Sequence, residues 1–235
     1  VYMNKKFAKA DLIPMCFLGL AMITLFPNFM ALGLEHTTAA RAGLLYATMP
    51  LCTIIIAYFF NIEKITLNKS LAVLLAILGI SFCMSERVDN NFQDTLKGDF
   101  LMMIGVLSAS CFTVFSGKYL KKYGNIPVMI FVILIGTILN LIISMIFGNS
   151  IISLIEINKF EAAALLMLII PGGVVMMYCW GKALQLISPT QAAISLGFNP
   201  LTAILLGSII LNEEITFKLG IGFISILMAI ILANW

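Results

Sequence analysis

Residues 31–85 and 181–235 are one segment written twice, at a constant offset of 150 residues and without a gap. Leu34, Ala42, Pro50, Leu51, Ile54, Glu63, Ile65, Thr66 and Ile80 recur as Leu184, Ala192, Pro200, Leu201, Ile204, Glu213, Ile215, Thr216 and Ile230. Each copy holds an apolar run of membrane length with one proline, an acidic break ending in Ile-Thr, and a second apolar run. A repeat constrains a fold more than any single residue, because both copies must adopt the same supersecondary unit. Duplicated membrane units are the mark of secondary transporters, which hold their substrate between the repeats.

The charges show why these runs are membrane spans. Charged residues make up 11% of the chain and hydrophobic ones 61%, against about a quarter charged in soluble domains. Uncharged stretches cover 12–34, 42–62, 70–85, 100–117, 126–148, 162–181, 192–212 and 219–235. A helix needs roughly 20 apolar residues to cross the hydrocarbon layer. Most of the stretches reach that length; 70–85 and 219–235 are short and need to extend into flanking Asn, Thr or Gly. A soluble core of this composition would need helices with polar outer faces, and these segments lack them. The reading is an all-α, polytopic membrane protein with eight transmembrane helices.

Alternating sides along the eight spans places Lys5, Lys6, Lys9, Lys64, Lys69, Lys118, Lys121, Lys122 and Lys182 on one side. Arg41, Arg87, Lys97, Lys159 and Lys218 fall on the other, with most of the acidic residues. Lys and Arg in short loops mark the cytoplasmic face, so the lysine-rich side is inside. The Glu63 loop is then cytoplasmic and the Glu213 loop external, which makes the repeats inverted and gives each an odd number of spans. Applied backwards, the offset pairs 162–181 with 12–34 and leaves 100–117 and 126–148 without partners. The chain therefore reads as N-terminally truncated, eight helices of an expected ten in two inverted five-helix repeats. On this reading 1–85 holds the last three helices of the first repeat, 86–99 is an outer linker, and 100–235 is the second repeat.

With that frame in place, the stretch from Ala31 to Leu45 (ALGLEHTTAARAGLL), followed by Met49-Pro50-Leu51, resembles the first EamA repeat of the drug/metabolite transporter superfamily. Ala183 to Ala193 (ALQLISPTQAA), with Asn199-Pro200-Leu201 and Asn212-Glu213-Glu214-Ile215-Thr216, is similar to the second. The resemblance covers nearly the whole chain. It implies ten helices around a central cavity, the first four of each half lining it and the fifth peripheral, and ATP-independent export or exchange of amino acids, other metabolites and drugs. No Asn-Asn or Gly-Ala-Leu-Asn-Lys signature of nucleotide-sugar carriers occurs, and the Lys-Arg pair of sugar-phosphate carriers is not evident in the last two spans.

Polar groups inside a membrane are costly and face protein or a watery cavity. Asn28, Tyr46, Trp180, Lys182 and Asn199 are the candidates for a substrate pathway. Asn28 and Asn199 have a plainer role as hydrogen-bonding glue between helices, and Tyr178 and Trp180 as interfacial anchors. Lys182 stands at a cytoplasmic helix end, where it meets an anionic substrate group or snorkels to lipid headgroups. Pro50 and Pro200, at matched positions, are candidate kinks or hinges, since proline removes a helical hydrogen bond. Pro27 and Pro171 lie in paired spans but out of register. Arg41 and His36 flank an outer turn. Glu63 and Glu213, with Thr66 and Thr216, read as shaping the turn before the next helix.

Other function classes find little support. The cysteines at 16, 52, 83, 111 and 179 sit in apolar spans without paired spacing, so no disulfide framework or metal site is expected. There is no HExxH, no GxSxG and no phosphate-binding loop, so neither an enzyme nor a nucleotide-driven pump is expected, nor any cofactor or catalytic residue. The expected activity is secondary-active export or exchange of small metabolites such as amino acids by alternating access. The alternatives are a broad drug exporter, a sugar-phosphate or nucleotide-sugar carrier, and a non-transporting membrane scaffold or sensor. Expected partners are a small-molecule substrate and the lipid bilayer, with room for a homodimer and none for nucleic acid. The expected location is the bacterial plasma (inner) membrane.

Overall fold

A computed structural model of the chain describes residues 7–37, 42, 45–46, 48–84, 95–146, 158–197, 199, 221, 224–225, 228–229 and 231–232. The described residues are almost wholly helical, with no strand among them. Helices Lys9–Leu34, Leu96–Tyr123, Asn125–Ile146 and Leu165–Leu186 are long and apolar enough to cross a membrane, and Met49–Phe59 and Leu67–Gly79 are shorter apolar helices. The stretch expected over 70–85 is helical from Leu67 to Met84, recruiting Asn68 and Lys69 into its first turn. Most of 192–212 and 219–235 lies outside the described residues.

Helix Asn125–Ile146 shows why these helices belong in lipid. Asn125, Val128, Met129, Val132 and Gly136 are buried at the three- and four-residue spacing of one helix face. Ile126, Ile130, Leu134, Ile138, Leu141 and Met145 form an equally apolar stripe that is exposed. A water-facing stripe of this kind would be polar; one facing acyl chains has no such need.

By contact the chain divides into two compact units, which do not follow the repeat boundaries. One comprises Val1–Thr24 and Phe115–Leu186. In it the helices over 95–123 and 125–146 meet at Gly124, whose φ of 93° is a left-handed conformation that only glycine adopts cheaply. Beside that turn, Asp11 Oδ2 accepts from Lys122 Nζ at 2.5 Å and from Tyr123 Oη at 2.6 Å. The Tyr123 hydroxyl also accepts from the Ala8 amide, and Phe7 packs edge-on against the Tyr123 ring at 5.0 Å. Gln185 Nε2 donates to the Leu120 carbonyl at 2.6 Å.

The other unit comprises Leu25–Val114 and Ile187–Trp235. Its apolar centre joins Ile54, Ala72, Val73, Ala76, Ile194 and Ala229. Small residues let its helices approach closely. A Cβ at Gly33 would lie 2.6 Å from Met102 Cγ, and one at Gly98 would lie 2.7 Å from the Gly33 carbonyl oxygen. At the same end Thr37 Oγ1 donates to Asp99 Oδ1 at 2.9 Å.

Candidate functional site

Helix Lys9–Leu34 is not a uniform α-helix. It is α-helical over Lys9–Gly19, π-helical over Leu20–Leu25 and α-helical again over Phe26–Leu34. Pro27 supplies a cause, because it has no N–H for the carbonyl of Ile23 four residues earlier. That carbonyl accepts instead from Asn140 Nδ2 at 3.0 Å, and the neighbouring Thr24 Oγ1 donates to the Gly136 carbonyl at 3.1 Å. In a membrane interior no water is at hand to satisfy a freed carbonyl, so a neighbouring helix must. Glycines make the approach close enough. A Cβ at Gly136 would lie 2.3 Å from Ile23 Cβ, and one at Gly19 would lie 2.8 Å from the Val132 carbonyl oxygen.

The run over 159–186 has the same construction: α-helix at Lys159–Met167, π-helix at Leu168–Val175, α-helix at Met176–Leu186. Shifted by the repeat offset, 168–175 falls on 18–25, so the two π segments share a register although Pro27 and Pro171 do not. Pro171 lies inside its π segment and Pro27 two residues beyond its own. In the second segment a Cβ at Gly172 would meet no atom of the described residues within 4 Å. Mid-helix π turns are rare and gather at functional sites. The sequence offered only the two prolines as a signal, and their mismatch hid the match between the bends.

The predicted pathway residues fall in different places. Asn28 follows Pro27 and is exposed; Tyr46 is half-buried, its ring 6.0 Å from that of Phe26. Asn199 is exposed, and its amide donates to the Leu196 carbonyl at 2.9 Å. These three belong to the unit containing Leu25–Val114, while Trp180 and Lys182 belong to the other. The Trp180 ring is half-buried with Nε1 enclosed and without an acceptor among the described residues, and Lys182 is exposed. Between those two residues, Gly181 is pinned under Asn125: a Cβ there would lie 1.9 Å from Asn125 Oδ1, while Asn125 Nδ2 donates to the Tyr178 carbonyl at 2.8 Å. Pro50 is buried in the first turn of helix Met49–Phe59, preceded by a turn at Thr48 that separates it from helical residues 45 and 46. Pro200 lies outside the described residues, as do Arg41, Glu213 and Thr216.

Glu63 is built into a connected group. Helix Met49–Phe59 ends with Asn61 at a φ of 54°, the Asn61 amide donating to Tyr58 and the Ile62 amide to Ala57, a Schellman closure. That closure carries Glu63 back toward Ser188, which opens helix Pro189–Ser195 as the N-cap of a capping box with Gln191. Glu63 Oε2 accepts from Thr190 Oγ1 at 2.9 Å and from the Thr190 amide at 3.2 Å. Lys69 Nζ pairs with Glu63 Oε1, and Thr66 Oγ1 accepts from the Lys69 amide at 3.3 Å. The Glu63 side chain is 6% exposed. Burial alone would raise its carboxyl pKa, but donors from Lys69, Ser188 and Thr190 outweigh that and hold it below the ordinary value. Sequence reasoning gave Glu63 a role in its own turn and missed Thr190, 127 residues away. It also missed Asn140 and Asn125, whose only signal was an amide within or at the edge of an uncharged span.

Comparison with known proteins agrees with this architecture. The chain is 24% identical to YoaV of Bacillus subtilis (strain 168), an uncharacterized transporter, over 93% of this chain and 73% of that protein. It is 28% identical to an uncharacterized transporter of Archaeoglobus fulgidus, over 87% of this chain and 70% of the relative. A protein of known crystal structure shares the fold at a TM-score of 0.78 and 17% identity, over 94% of this chain and 75% of that one. The family model described as EamA-like transporter matches residues 2–85 and 96–235. This chain, an integral membrane protein whose described residues are almost wholly helical, belongs to the EamA-like transporter family.

Proposed function

We propose that the protein is a secondary-active exporter or exchanger of small metabolites, amino acids among them, that works by alternating access in the bacterial plasma membrane. The observation that carries this reading is the pair of π segments, Leu20–Leu25 and Leu168–Val175, in one register under the 150-residue offset. Interrupted helices at corresponding places in two halves are where transporters form substrate sites and bend. The proposal keeps the two repeats inverted, with the Glu63 loop cytoplasmic. Asn28, Tyr46 and Asn199 face the pathway, and Lys182 stands at its inner mouth. Few charges lie within the spans, which favours neutral, zwitterionic or amphipathic substrates over multivalent anions.

The test is flux. The full-length protein in sealed liposomes should move at least one labelled amino acid or small amphipathic metabolite down its gradient without nucleotide, above empty liposomes. A folded protein that moves none of such a panel contradicts the proposal. Among the pathway residues, Asn199→Leu should change flux per folded molecule while leaving yield and melting temperature near wild type.

A further inference from the structure

We propose that Glu63 is the releasable latch of a one-sided gate, holding the 188–195 segment against the hairpin formed by helices Met49–Phe59 and Leu67–Met84 and letting go when the pathway opens on that face. The inference rests on the alternating-access reading above. Three features carry it. The carboxylate joins distant parts of the sequence, since its acceptor atoms take Thr190 and Lys69 at once. Each of its oxygens has a named donor, so releasing Thr190 breaks two hydrogen bonds while Lys69 continues to pair the charge. That is the geometry of a contact that opens without stranding a bare charge. The third feature is asymmetry. The 150-residue offset places Ala40 where Thr190 stands and Leu219 where Lys69 stands. In sequence, the positions equivalent to Glu63's two side-chain partners thus offer the second copy an alanine and a leucine in place of the hydroxyl and the ammonium. A cap needed only for the fold would be expected in both copies; a gate that controls one mouth needs it in one.

The experiment combines amide hydrogen exchange with flux on the full-length protein in lipid, comparing wild type with Glu63→Gln and Thr190→Val, and melting temperature as the check on folding. Glu63→Gln should raise exchange across 188–196 about tenfold, the equivalent of one charge-assisted hydrogen bond. It should also change the flux rate per folded molecule. Thr190→Val, which keeps the amide bond, should act in the same direction and less. Raised exchange with flux unchanged in both variants makes Glu63 a structural cap and overturns the latch. Unchanged exchange overturns it as well. A wild type that carries flux but a 188–196 segment indifferent to both variants sinks the latch alone. A wild type that carries nothing sinks the transport reading and the gate together.

Discussion

Asn140 and Pro27 are 113 positions apart in sequence, yet the chemistry of one explains the other. Proline removes the amide that the Ile23 carbonyl would use, and Asn140 replaces it at 3.0 Å. Asn140→Leu should therefore destabilise the protein by about 0.6–2 kcal/mol, the range of hydrogen bonds between membrane helices. Pro27→Ala restores the local amide, so the same leucine should cost less in that background. Equal losses in both backgrounds, by reversible unfolding in detergent, would separate the two residues. Glu63 gives a pH prediction with a definite sign. Its folded pKa is depressed, so its contribution is complete above the ordinary carboxylate value and fades as pH falls through the lower, folded one. Glu63→Gln should lower the melting temperature at neutral pH, and the gap from wild type should narrow as pH falls below the ordinary carboxylate value of about 4. A gap that does not narrow as the pH is lowered would mean the charge is not what matters. At this scale the sequence was only partly legible: Asn28, Tyr46 and Asn199 stood out as polar letters in apolar runs. Asn125, Asn140 and Thr190 acquire their meaning from partners 53, 117 and 127 residues away.

At the scale of helices, uncharged stretches located the elements well, because a charge is the one thing a span cannot carry cheaply. The stretch 126–148 became helix Asn125–Ile146, and Ser188-Pro189-Thr190-Gln191, between the uncharged stretches 162–181 and 192–212, became a capping box. The interior shape of the helices was less legible. A π turn depends on how neighbouring helices satisfy the backbone, which no local pattern encodes, and only the offset between copies relates the two. Gly181 and Gly172 make a contrasting pair of tests. Gly181→Ala would drive a Cβ to 1.9 Å from Asn125 Oδ1 and should cost about 1–3 kcal/mol of stability through overpacking. Gly172→Ala meets no atom of the described residues within 4 Å and should leave the melting temperature near wild type. Removing one residue from Leu168–Val175, such as Val174, should convert the π turn to α-helix. The shortened protein should fold, and its flux per molecule should fall well below wild type. Undiminished flux would show that the bend serves packing alone.

For the whole molecule, the uncharged stretches supplied the membrane class, and the motifs that recur in the two copies supplied the family. Compact units drawn by contact cut across the repeat boundaries, as the long helices 9–34 and 95–123 each contribute to both. Adjacency in the sequence and adjacency in the fold part company there. The proposed alternating access requires that the copies lie inverted in the membrane, two halves facing opposite sides. Cysteines introduced at Asn68, in the first turn of helix Leu67–Met84, and at Asn212, directly before Glu213, test this with an impermeant thiol reagent on sealed cells. Position 212 should label from outside, and position 68 only once the inner face is exposed. Labelling of both positions from the same side would contradict it.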